Sequence, residues 1–553
     1  MNRRSLLKVA CGFGAGIPAA AVGAGDNRKK SVPFKVLFSN DTTNILSCIS
    51  PYHRRGDPLT KEMIQATVDE VPGVDAHMLQ PGLGWIPWWK SKLYPAAEHY
   101  RWVQEKTGLG PDALGKYIRE DESGDPFKDL LQFGRYILEG NDLLQVFVDR
   151  CRQRGQAPFV SFRLNDGHLL ENVGTRSPHA VWVSRFYEEH PEYRIGPDKN
   201  SWDQRVHNWA IPQVREHKFS FIREICENYD IDGLELDFMR HTSFFRLRET
   251  TVEQRARIMT EFVARVRRVL DQTMRHGRHR WLCARVPCFL VAHDPLGIDL
   301  PAMVKAGLEM VDLSGFYFTI QQTDLPTVRR MVPGAAVYLE MTHSAWNGPS
   351  LPGAYDSFPF LRTTDQQFYT GAHLTYARGG DGVSLFNFVY YREHGMAGRG
   401  PFNQPPFHVL KHLGDRVWLR NQPQWYLLST GWGNPTLLGD RPLPKTFHRG
   451  ERHIFMLDLA PNDPTQKGLF RLRALQDASG RAWTVSLNGT QLKAADYVAK
   501  PIDHPYDAFL GQPGEYACFS CPPGIARDGL NQIAVSIERG DPLTVAYLDL
   551  VFP

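Results

Sequence analysis

The chain has 553 residues, of which 42% are hydrophobic and 22% are charged, and its formal net charge is +4. This length exceeds what one ordinary hydrophobic core holds, so we expect two or three globular domains. The small net charge and the absence of a basic stripe in the sequence argue against a dedicated nucleic-acid-binding protein.

The first residues are similar to an export signal. Asn2–Lys8 matches a twin-arginine pattern, and a Gly/Ala-rich apolar run follows from Val9 to Ala24. The run is too short and too rich in glycine to span a membrane stably. We therefore predict a signal peptide and linker over residues 1–32, export to the periplasm or the exterior, and no membrane contact once the signal is removed. A disordered basic tail is the alternative.

From Pro33 onward, short apolar runs alternate with helical patterns, which is typical of βα units. Eight runs are predicted strands: Lys35–Ser39, Gly73–Leu79, Pro158–Phe162, Gly233–Asp237, Trp281–Val286, Val311–Tyr317, Ala335–Met341 and Gly382–Phe388. Predicted helices are Thr60–Glu70, Asn141–Arg154, Pro212–Tyr229, Val252–Met274, Pro301–Ala306, Leu325–Met331, Thr364–Ala377 and Gln404–Leu413. Because no glycine-rich phosphate fingerprint follows the first strand, we expect an α/β fold of the closed (β/α)8 TIM-barrel type over residues 33–418.

The barrel pattern has two long insertions, and a different pattern follows it. The insertions are Gln80–Gly140 and Asn165–Ala210, and loops of this length in a compact domain are usually functional. After about Leu419, strand-like alternation separated by turn residues predicts an all-β sandwich over residues 419–553. The eight cysteines lack a zinc-site spacing, so we predict mostly buried free thiols.

Tyr229–His241 carries the strongest functional signal. On a strand, Glu235 and Asp237 share one face, and Arg240 and His241 follow at its C-terminal end. A packed core holds such charges only at a cost, whereas a (β/α)8 barrel places its chemistry at the C-terminal ends of its strands. A structural ion-pair cluster is the alternative reading.

Polar and aromatic residues follow nearly every predicted strand, so they converge on one mouth of the barrel. Excess Trp and Tyr also suits stacking on sugar rings. We predict substrate-binding roles at this mouth for Asp41, His77, Arg163, Asn165, Asp166, His168, Glu235, Arg240, His241, Arg285, Tyr317, His343, Trp346, Asn387 and Tyr390.

Glycosidic hydrolysis needs two carboxyl groups, one to donate a proton and one to attack carbon or activate water. Asp237 on the fourth strand and Glu340 on the seventh can face each other across the mouth, so we predict both as catalytic, with roles unassigned. Glu235 lies deeper and is assigned a supporting role. The sequence has neither a Gly-x-Ser-x-Gly elbow nor a His-Glu-x-x-His motif. A metal held by Asp41, Asp166 and His168 is a weaker alternative, and no metal or cofactor is predicted.

Several segments resemble the glycosyl hydrolase-like ten family of bacterial barrel glycosidases, namely Ser161–Asp166, Trp209–Arg215, Asp230–Phe238 and Ala284–Pro287. The resemblance covers roughly Pro33 to Leu413 and implies a TIM barrel with glycosidase activity, and the C-terminal part is similar to a β-sandwich often appended to such enzymes. The Asp232-Gly233-x-x-x-Asp237 spacing is also similar to that of the alpha-amylase family and would make Asp237 the nucleophile, although Glu235 replaces that family's Arg. Resemblance to retaining barrel glycosidases would instead make Asp237 the acid and Glu340 the nucleophile.

We therefore predict an exported glycoside hydrolase acting on a poly- or oligosaccharide. Arg163, Arg240, Arg285 and His241 suit an anionic substituent such as sulfate or uronate, or they only balance the carboxylates. A polysaccharide lyase or another carbohydrate-active enzyme using the Arg, His and Tyr groups is one alternative, and a non-catalytic glycan-binding barrel is another. The expected partner is a carbohydrate.

Overall fold

The computed structural model describes residues 31–48, 50–54, 56–83, 85–110, 128–347, 360–392, 404–429, 442–506 and 510–553. The predicted signal peptide therefore lies outside the described residues, apart from the last two positions of its linker. No helix in the described ranges is long and apolar enough to cross a membrane.

Within these ranges, eight parallel strands close into a barrel. They are β1 (Val36–Asn40), β2 (Ala76–Leu79), β3 (Ala157–Arg163), β4 (Gly233–Asp237), β5 (Trp281–Pro287), β6 (Met310–Ser314), β7 (Ala336–Thr342) and β8 (Gly382–Phe386). Strands that follow one another in sequence pair with one another, and β1 pairs with β8 to close the ring. The predicted (β/α)8 barrel is confirmed.

Helices alternate with the strands. They are α1 (Asn44–Ser47), α2 (Lys61–Asp69), α3 (Ala96–Thr107), α4 (Leu131–Leu138), α5 (Leu143–Arg154), α6 (Arg185–Glu189), α7 (Pro212–Asn228), α8 (Val252–Gln272), α9 (His293–Leu296), α10 (Leu300–Lys305), α11 (Leu325–Met331), α12 (Asp365–Ala377) and α13 (Arg416–Arg420). Short 3₁₀ turns occupy Lys128–Leu130, Leu170–Asn172, Pro178–Trp182, Pro191–Tyr193, Leu247–Glu249, Leu290–Ala292, Phe388–Arg392, Phe407–His412 and Pro513–Glu515.

The bounds of several elements differ from the predicted ones, as for Gly73–Leu79 and Gly382–Phe388, and two of the differences have clear local reasons. The helix predicted over Gln404–Leu413 is only the 3₁₀ turn, because Pro405 and Pro406 lack the N–H groups that a helix needs. Strand β6 ends at Ser314 rather than at Tyr317, since Phe316 has a left-handed backbone with φ of 71°.

The barrel interior changes character along its axis. Its N-terminal end is filled by apolar side chains, among them Phe34, Leu37, Phe159, Trp281 and Tyr338. On β4, by contrast, Leu234 and Leu236 pack outward in the main core while Glu235 and Asp237 alternate with them. Strand parity thus directs charged groups to the interior at the C-terminal end.

The C-terminal part forms two antiparallel sheets. Its strands are β9 (Gln424–Ser429), β10 (Lys445–Phe447), β11 (Arg452–Leu459), β12 (Gly468–Ala474), β13 (Ala482–Leu487), β14 (Thr490–Gln491), β15 (Lys493–Ala495), β16 (Tyr516–Cys521), β17 (Gly529–Arg539) and β18 (Leu543–Phe552). One sheet has the order β9-β18-β12-β16-β15, with β10 also paired to β18, and the other has the order β11-β17-β13-β14. Side chains of both sheets share one core, which confirms the predicted all-β domain. The residue boundaries of the domains stay predictions.

The first sheet packs directly on the barrel. The Trp425 N–H donates to Thr370 Oγ of α12 at 2.7 Å, and the Gln321 side chain bonds the backbone of Trp425 and Leu427 at 3.1 and 2.9 Å. Six described cysteines are buried thiols without disulfide partners, as predicted: Cys151, Cys226, Cys283, Cys288, Cys518 and Cys521.

Candidate active site

One guanidinium holds both predicted catalytic carboxylates at the C-terminal end of the barrel. Arg285 Nη1 donates to Asp237 Oδ1 at 3.2 Å, Nη2 donates to Glu340 Oε1 at 2.8 Å, and Nε donates to Glu340 Oε2. Ser314 Oγ donates to Glu340 Oε1 at 2.5 Å. The guanidinium carbon lies 3.8 Å from the ring centroid of Phe386. All these charged groups are buried, so the cluster depends on mutual pairing.

Strand register explains why these charges meet. Arg163, Asp237 and Arg285 occupy the same level on β3, β4 and β5, because Arg163 is the register partner of Asp237, which is the partner of Arg285. The neighbouring strands β3, β4 and β5 therefore present a positive, a negative and a positive side chain at one level of the barrel. Glu340 comes from β7, across the interior from β4.

Asp237 and Glu340 differ in how fully they are engaged. Asp237 Oδ1 accepts from Arg285 and from the Met239 N–H at 2.7 Å, while Asp237 Oδ2 has no bond to any described residue. Both oxygens of Glu340 are bonded, and its side chain is fully buried. Burial raises the pKa of Glu340, and Arg285 acts in the opposite direction. Asp237 is thus the carboxylate with an oxygen left for a substrate.

Two more carboxylates lie in the same interior. Glu235 accepts from Ser161 Oγ at 2.6 Å, and burial, reinforced by Asp237, raises its pKa to about 8. Asp312 on β6 is fully buried, and neither of its carboxylate oxygens has a hydrogen-bond partner among the described residues. Burial and the charge of Glu340 raise the pKa of Asp312 well above its ordinary value. The sequence prediction missed Asp312 and Ser314, although their two-residue spacing on β6 was the available signal.

A second charged layer lies further out. Arg163 Nη2 lies 3.1 Å from Asp41 Oδ1, and Arg163 Nη1 donates to Asp166 Oδ2 at 3.1 Å. The Tyr390 hydroxyl donates to Asp41 Oδ2 at 3.3 Å. Burial acts to raise the pKa of Asp41, but Arg163 and Arg240 hold it below its ordinary value. Asp41 is therefore ionised at neutral pH.

His168 forms a dyad with Asp166 in this layer. Asp166 Oδ1 accepts from the backbone N–H of His168 at 3.0 Å and lies 2.5 Å from its ring Nδ1. Arg240 donates to His168 Nε2 and to the Tyr317 hydroxyl. Burial and the charge of Arg240 lower the pKa of His168 to about 4, so the ring is neutral. The His168 side chain keeps 13% of its surface exposed, more than Asp237 or Glu340.

Trp202, from the second insertion, covers His241. The two rings stack at 3.7 Å with an interplanar angle of 15°, and Trp202 is 42% exposed. His241 has a left-handed backbone with φ of 55°, and its Nδ1 accepts the Gly167 N–H at 3.1 Å. A large exposed indole at a barrel mouth is suited to stacking on a sugar face. The sequence prediction did not include Trp202, whose only signal was its place in a long insertion.

Two predicted substrate-binding residues have structural positions instead, and three more follow strands at the mouth. His77 packs between Phe38 and Phe147, away from the mouth. The Asn165 side chain ties two backbone segments together by bonds to His207 and Ser243. Three others follow β7 or β8: His343 and Asn387 are buried, Tyr390 is half-buried, and the His343 ring lies 5.7 Å from that of Tyr390. Trp346 lies on the short strand Ser344–Asn347, and its side chain is outside the described part of the structure.

Asp166, His168 and His241 are the described residues that could hold a metal ion, with ligand atoms within 4.8 Å of one another. Their electron pairs are already engaged, since Gly167 donates to His241 Nδ1 and Arg240 donates to His168 Nε2. Arg163 also contacts Asp166. The neighbouring guanidinium groups therefore suit an anion or a sugar hydroxyl better than a cation.

No protein-family model matches the chain, so membership of the glycosyl hydrolase-like ten family stays a prediction. An S-layer-related protein of Niallia circulans is 30% identical over 105 residues, which are 18% of this chain and 6% of that protein. The chain thus spans only a small part of that relative's length.

Among solved structures, three glycoside hydrolases illustrate the similarity. Alpha-L-fucosidase isoenzyme 2 of Paenibacillus thiaminolyticus has 10% identity and a TM-score of 0.38, covering 72% of this chain and 51% of that one. A glycoside hydrolase domain of Bordetella bronchiseptica has 9% identity and a TM-score of 0.39, covering 69% and 99%. The group IV chitinase of Ostrinia furnacalis has 11% identity and a TM-score of 0.36, covering 70% and 98%. These values are too low to indicate a shared function.

Proposed function

We propose that the chain is a glycoside hydrolase that cleaves an oligo- or polysaccharide at the C-terminal mouth of its barrel. Asp237 and Glu340 are its working carboxylates. The observation that carries this proposal is that both contact the same guanidinium, Arg285, at the end of the barrel where such folds place their chemistry. Contact with one guanidinium keeps the two carboxyl groups close together. Glycosidic hydrolysis requires a separation of roughly 5–9.5 Å between them.

The two carboxylates play unequal parts in this proposal. Asp237 Oδ2 is free of bonds to the described residues, so Asp237 attacks the anomeric carbon or activates a water. Glu340 donates the proton to the leaving oxygen, a role that suits a carboxyl whose pKa is raised by burial. For this, the substrate must loosen the bond between Glu340 and Arg285. Trp202 supports one sugar face at the rim.

A panel of neutral and anionic polysaccharides, read by reducing-end formation, identifies the substrate. With that substrate, Asp237→Asn and Glu340→Gln should each lower kcat by about 10²–10⁴-fold. Aryl glycosides with good leaving groups separate the roles, because they need no acid: Glu340→Gln should keep most activity on them and Asp237→Asn should not. Asp381→Asn changes a carboxylate just before the N-terminal end of β8, so it is the matched control and should stay active. Full activity in both site variants would refute the assignment.

A polysaccharide lyase is the second candidate, and a specific contact favours it. Arg240 joins the neutral His168 ring and the Tyr317 hydroxyl in the more exposed outer layer. In a lyase, a uronate carboxylate would bind Arg240 and draw it away from His168 Nε2, His168 Nε2 would then take the proton at C5, and Tyr317 would protonate the leaving oxygen. Elimination gives an unsaturated product with an ultraviolet enone absorbance, and hydrolysis gives reducing ends without it. Tyr317→Phe should abolish only elimination.

We further propose that the enzyme is exported through its twin-arginine-like N-terminus. A fusion of residues 1–32 to a reporter, compared with the same fusion carrying Arg3→Lys and Arg4→Lys, tests this. Export that is unchanged by the double substitution would contradict a twin-arginine route.

A further inference from the structure

A second pocket lies beside the mouth. It is covered by the hairpin of Gly82–Leu83 and Ile86–Pro87, and the space that can hold the centre of a water-sized molecule is ≈ 20 Å³. Its walls are mainly aromatic, with two cationic side chains: Trp85, Trp89, Phe162, Phe221, Arg163 and Lys218. Arg163 also belongs to the outer layer of the candidate active site, so the pocket adjoins the position proposed for the saccharide.

Lys218, from α7, is a buried cation in this pocket. It is 2% exposed, and its Nζ lies 3.7 Å from the ring centroid of Trp85 and 5.0 Å from that of Phe162. It forms no ion pair or hydrogen bond with any described residue. Burying an ammonium group without a counter-ion costs more free energy than a cation–π contact returns. The described residues therefore leave the burial of this amine uncompensated by an anionic partner.

One other donor on the pocket wall has no partner, and a second has only an ion pair. The Trp85 indole N–H and Arg163 Nη2 are buried without a hydrogen-bond partner in the described part of the chain, although Arg163 Nη2 has its ion-pair contact with Asp41. Glu224 is not the missing partner of Lys218, because its carboxylate accepts from Trp89 at 2.9 Å and from three groups of residues 91–93. Gln80 Oε1 is the one pocket-wall acceptor among the described residues that is buried without a partner, so donors outnumber free acceptors here, and this excess indicates an oxyanion.

We propose that this pocket binds the anionic group of the saccharide, a carboxylate or a sulfate, with Lys218 as the specificity-determining residue. The inference rests on the proposed function and narrows its substrate class to anionic glycans. Lys218 and Arg163 supply charge, the Trp85 N–H supplies a directed hydrogen bond, and the aromatic walls exclude water, so each contact with the anion is strengthened.

Proton uptake should accompany binding. Burial lowers the pKa of Lys218 to about 7, with Asp166 acting in the opposite direction. The other titratable groups facing this region are His207 and His217, which are neutral because burial lowers their pKa values, and the ion-paired Arg163. Since an anion favours the ammonium form, affinity should be constant below pH 7 and fall about tenfold per pH unit above it.

The test compares Lys218→Met with the wild type and with Lys493→Met, an exposed lysine of the sandwich. The probes are sodium sulfate, glucose 6-sulfate, methyl glucuronide and neutral methyl glucoside, and the measurements are calorimetric affinity and the protection of Lys218 from reductive methylation, read by mass spectrometry. The wild type and Lys493→Met should bind sulfate, and Lys218→Met should bind it at least tenfold more weakly. The two sugar anions show whether sulfate or carboxylate is preferred.

Stability distinguishes this role from a structural one. Removing an unpaired buried charge should leave the unfolding free energy of Lys218→Met equal to or above that of the wild type. The inference is overturned if no anion protects Lys218, if Lys218→Met binds anions as tightly as the wild type, or if that variant is strongly destabilised. If anion binding fails these tests while the wild type still hydrolyses a glycan, the proposed function stands and only this inference fails.

Discussion

Arg285→Met removes the guanidinium that joins the two site carboxylates. Methionine keeps an unbranched apolar stem but cannot donate a hydrogen bond. Asp237 then loses one partner, and Glu340 loses its bidentate pair and keeps only Ser314. The fold is expected to survive with a measurable loss of stability, because both carboxylates stay buried after their cation is gone.

The expected cost at pH 7 is about 3–5 kcal/mol, the range found when one partner of a buried ion pair is removed. This cost depends on pH. Without Arg285, the largest effect that opposes burial is lost, so the pKa of Glu340 in the folded state rises further above the unfolded value. The native variant then binds more protons than the unfolded chain, and its stability increases as pH falls. The difference from the wild type should be largest near pH 8 and smallest near pH 5.

Denaturant unfolding at pH 5, 7 and 8 measures these differences. Arg471→Met is the matched control, because Arg471 makes an equally buried bidentate pair with Asp549 in the sandwich, at 2.9 and 2.5 Å. It should destabilise the protein by a similar amount while leaving glycan cleavage by the folded enzyme unchanged. A cost below about 1 kcal/mol for Arg285→Met, or one that is the same at pH 5 and 8, would refute the pairing of Arg285 with both carboxylates.

Three further predictions concern single side chains. Trp202→Ala should raise KM about fivefold and change kcat little, since exposed aromatic stacking contributes about 1 kcal/mol; an equal loss in kcat would point to a role in the chemistry. Burial lowers the pKa of His77 to about 4, so the wild type should lose roughly 3 kcal/mol of stability between pH 6.5 and 4 that His77→Gln does not lose, as denaturant titrations would show. The raised pKa of Asp312 means that the wild type loses stability as pH rises above the ordinary carboxyl pKa of about 4, so the stability of Asp312→Asn relative to the wild type should increase over that range; a difference that stays constant as pH rises from 4 would contradict a buried acid with a raised pKa.

The strands of the barrel could be predicted because their signal is local. Gly233–Asp237 matches the observed β4 at both ends, since apolar residues facing the helices alternate with charged residues facing the interior. Tyr317 shows the limit of this approach: its apolar surroundings continue the strand pattern, but the left-handed backbone of Phe316 ends β6 at Ser314. A backbone reversal of this kind depends on neighbouring loops that no short window of sequence contains.

Local periodicity is enough to specify the alternation of strands and helices and the change to an all-β domain. It also places charged residues at strand ends, because each segment of the chain carries its own periodic pattern. The folded arrangement was needed to show that Arg285 lies between Asp237 and Glu340, that His77 faces the helices, and that Lys218 is a cation without a counter-ion among the described residues. Pairing and burial depend on strand register and on loops distant in sequence. The chemistry of each charge is therefore set by neighbours that the local pattern does not specify.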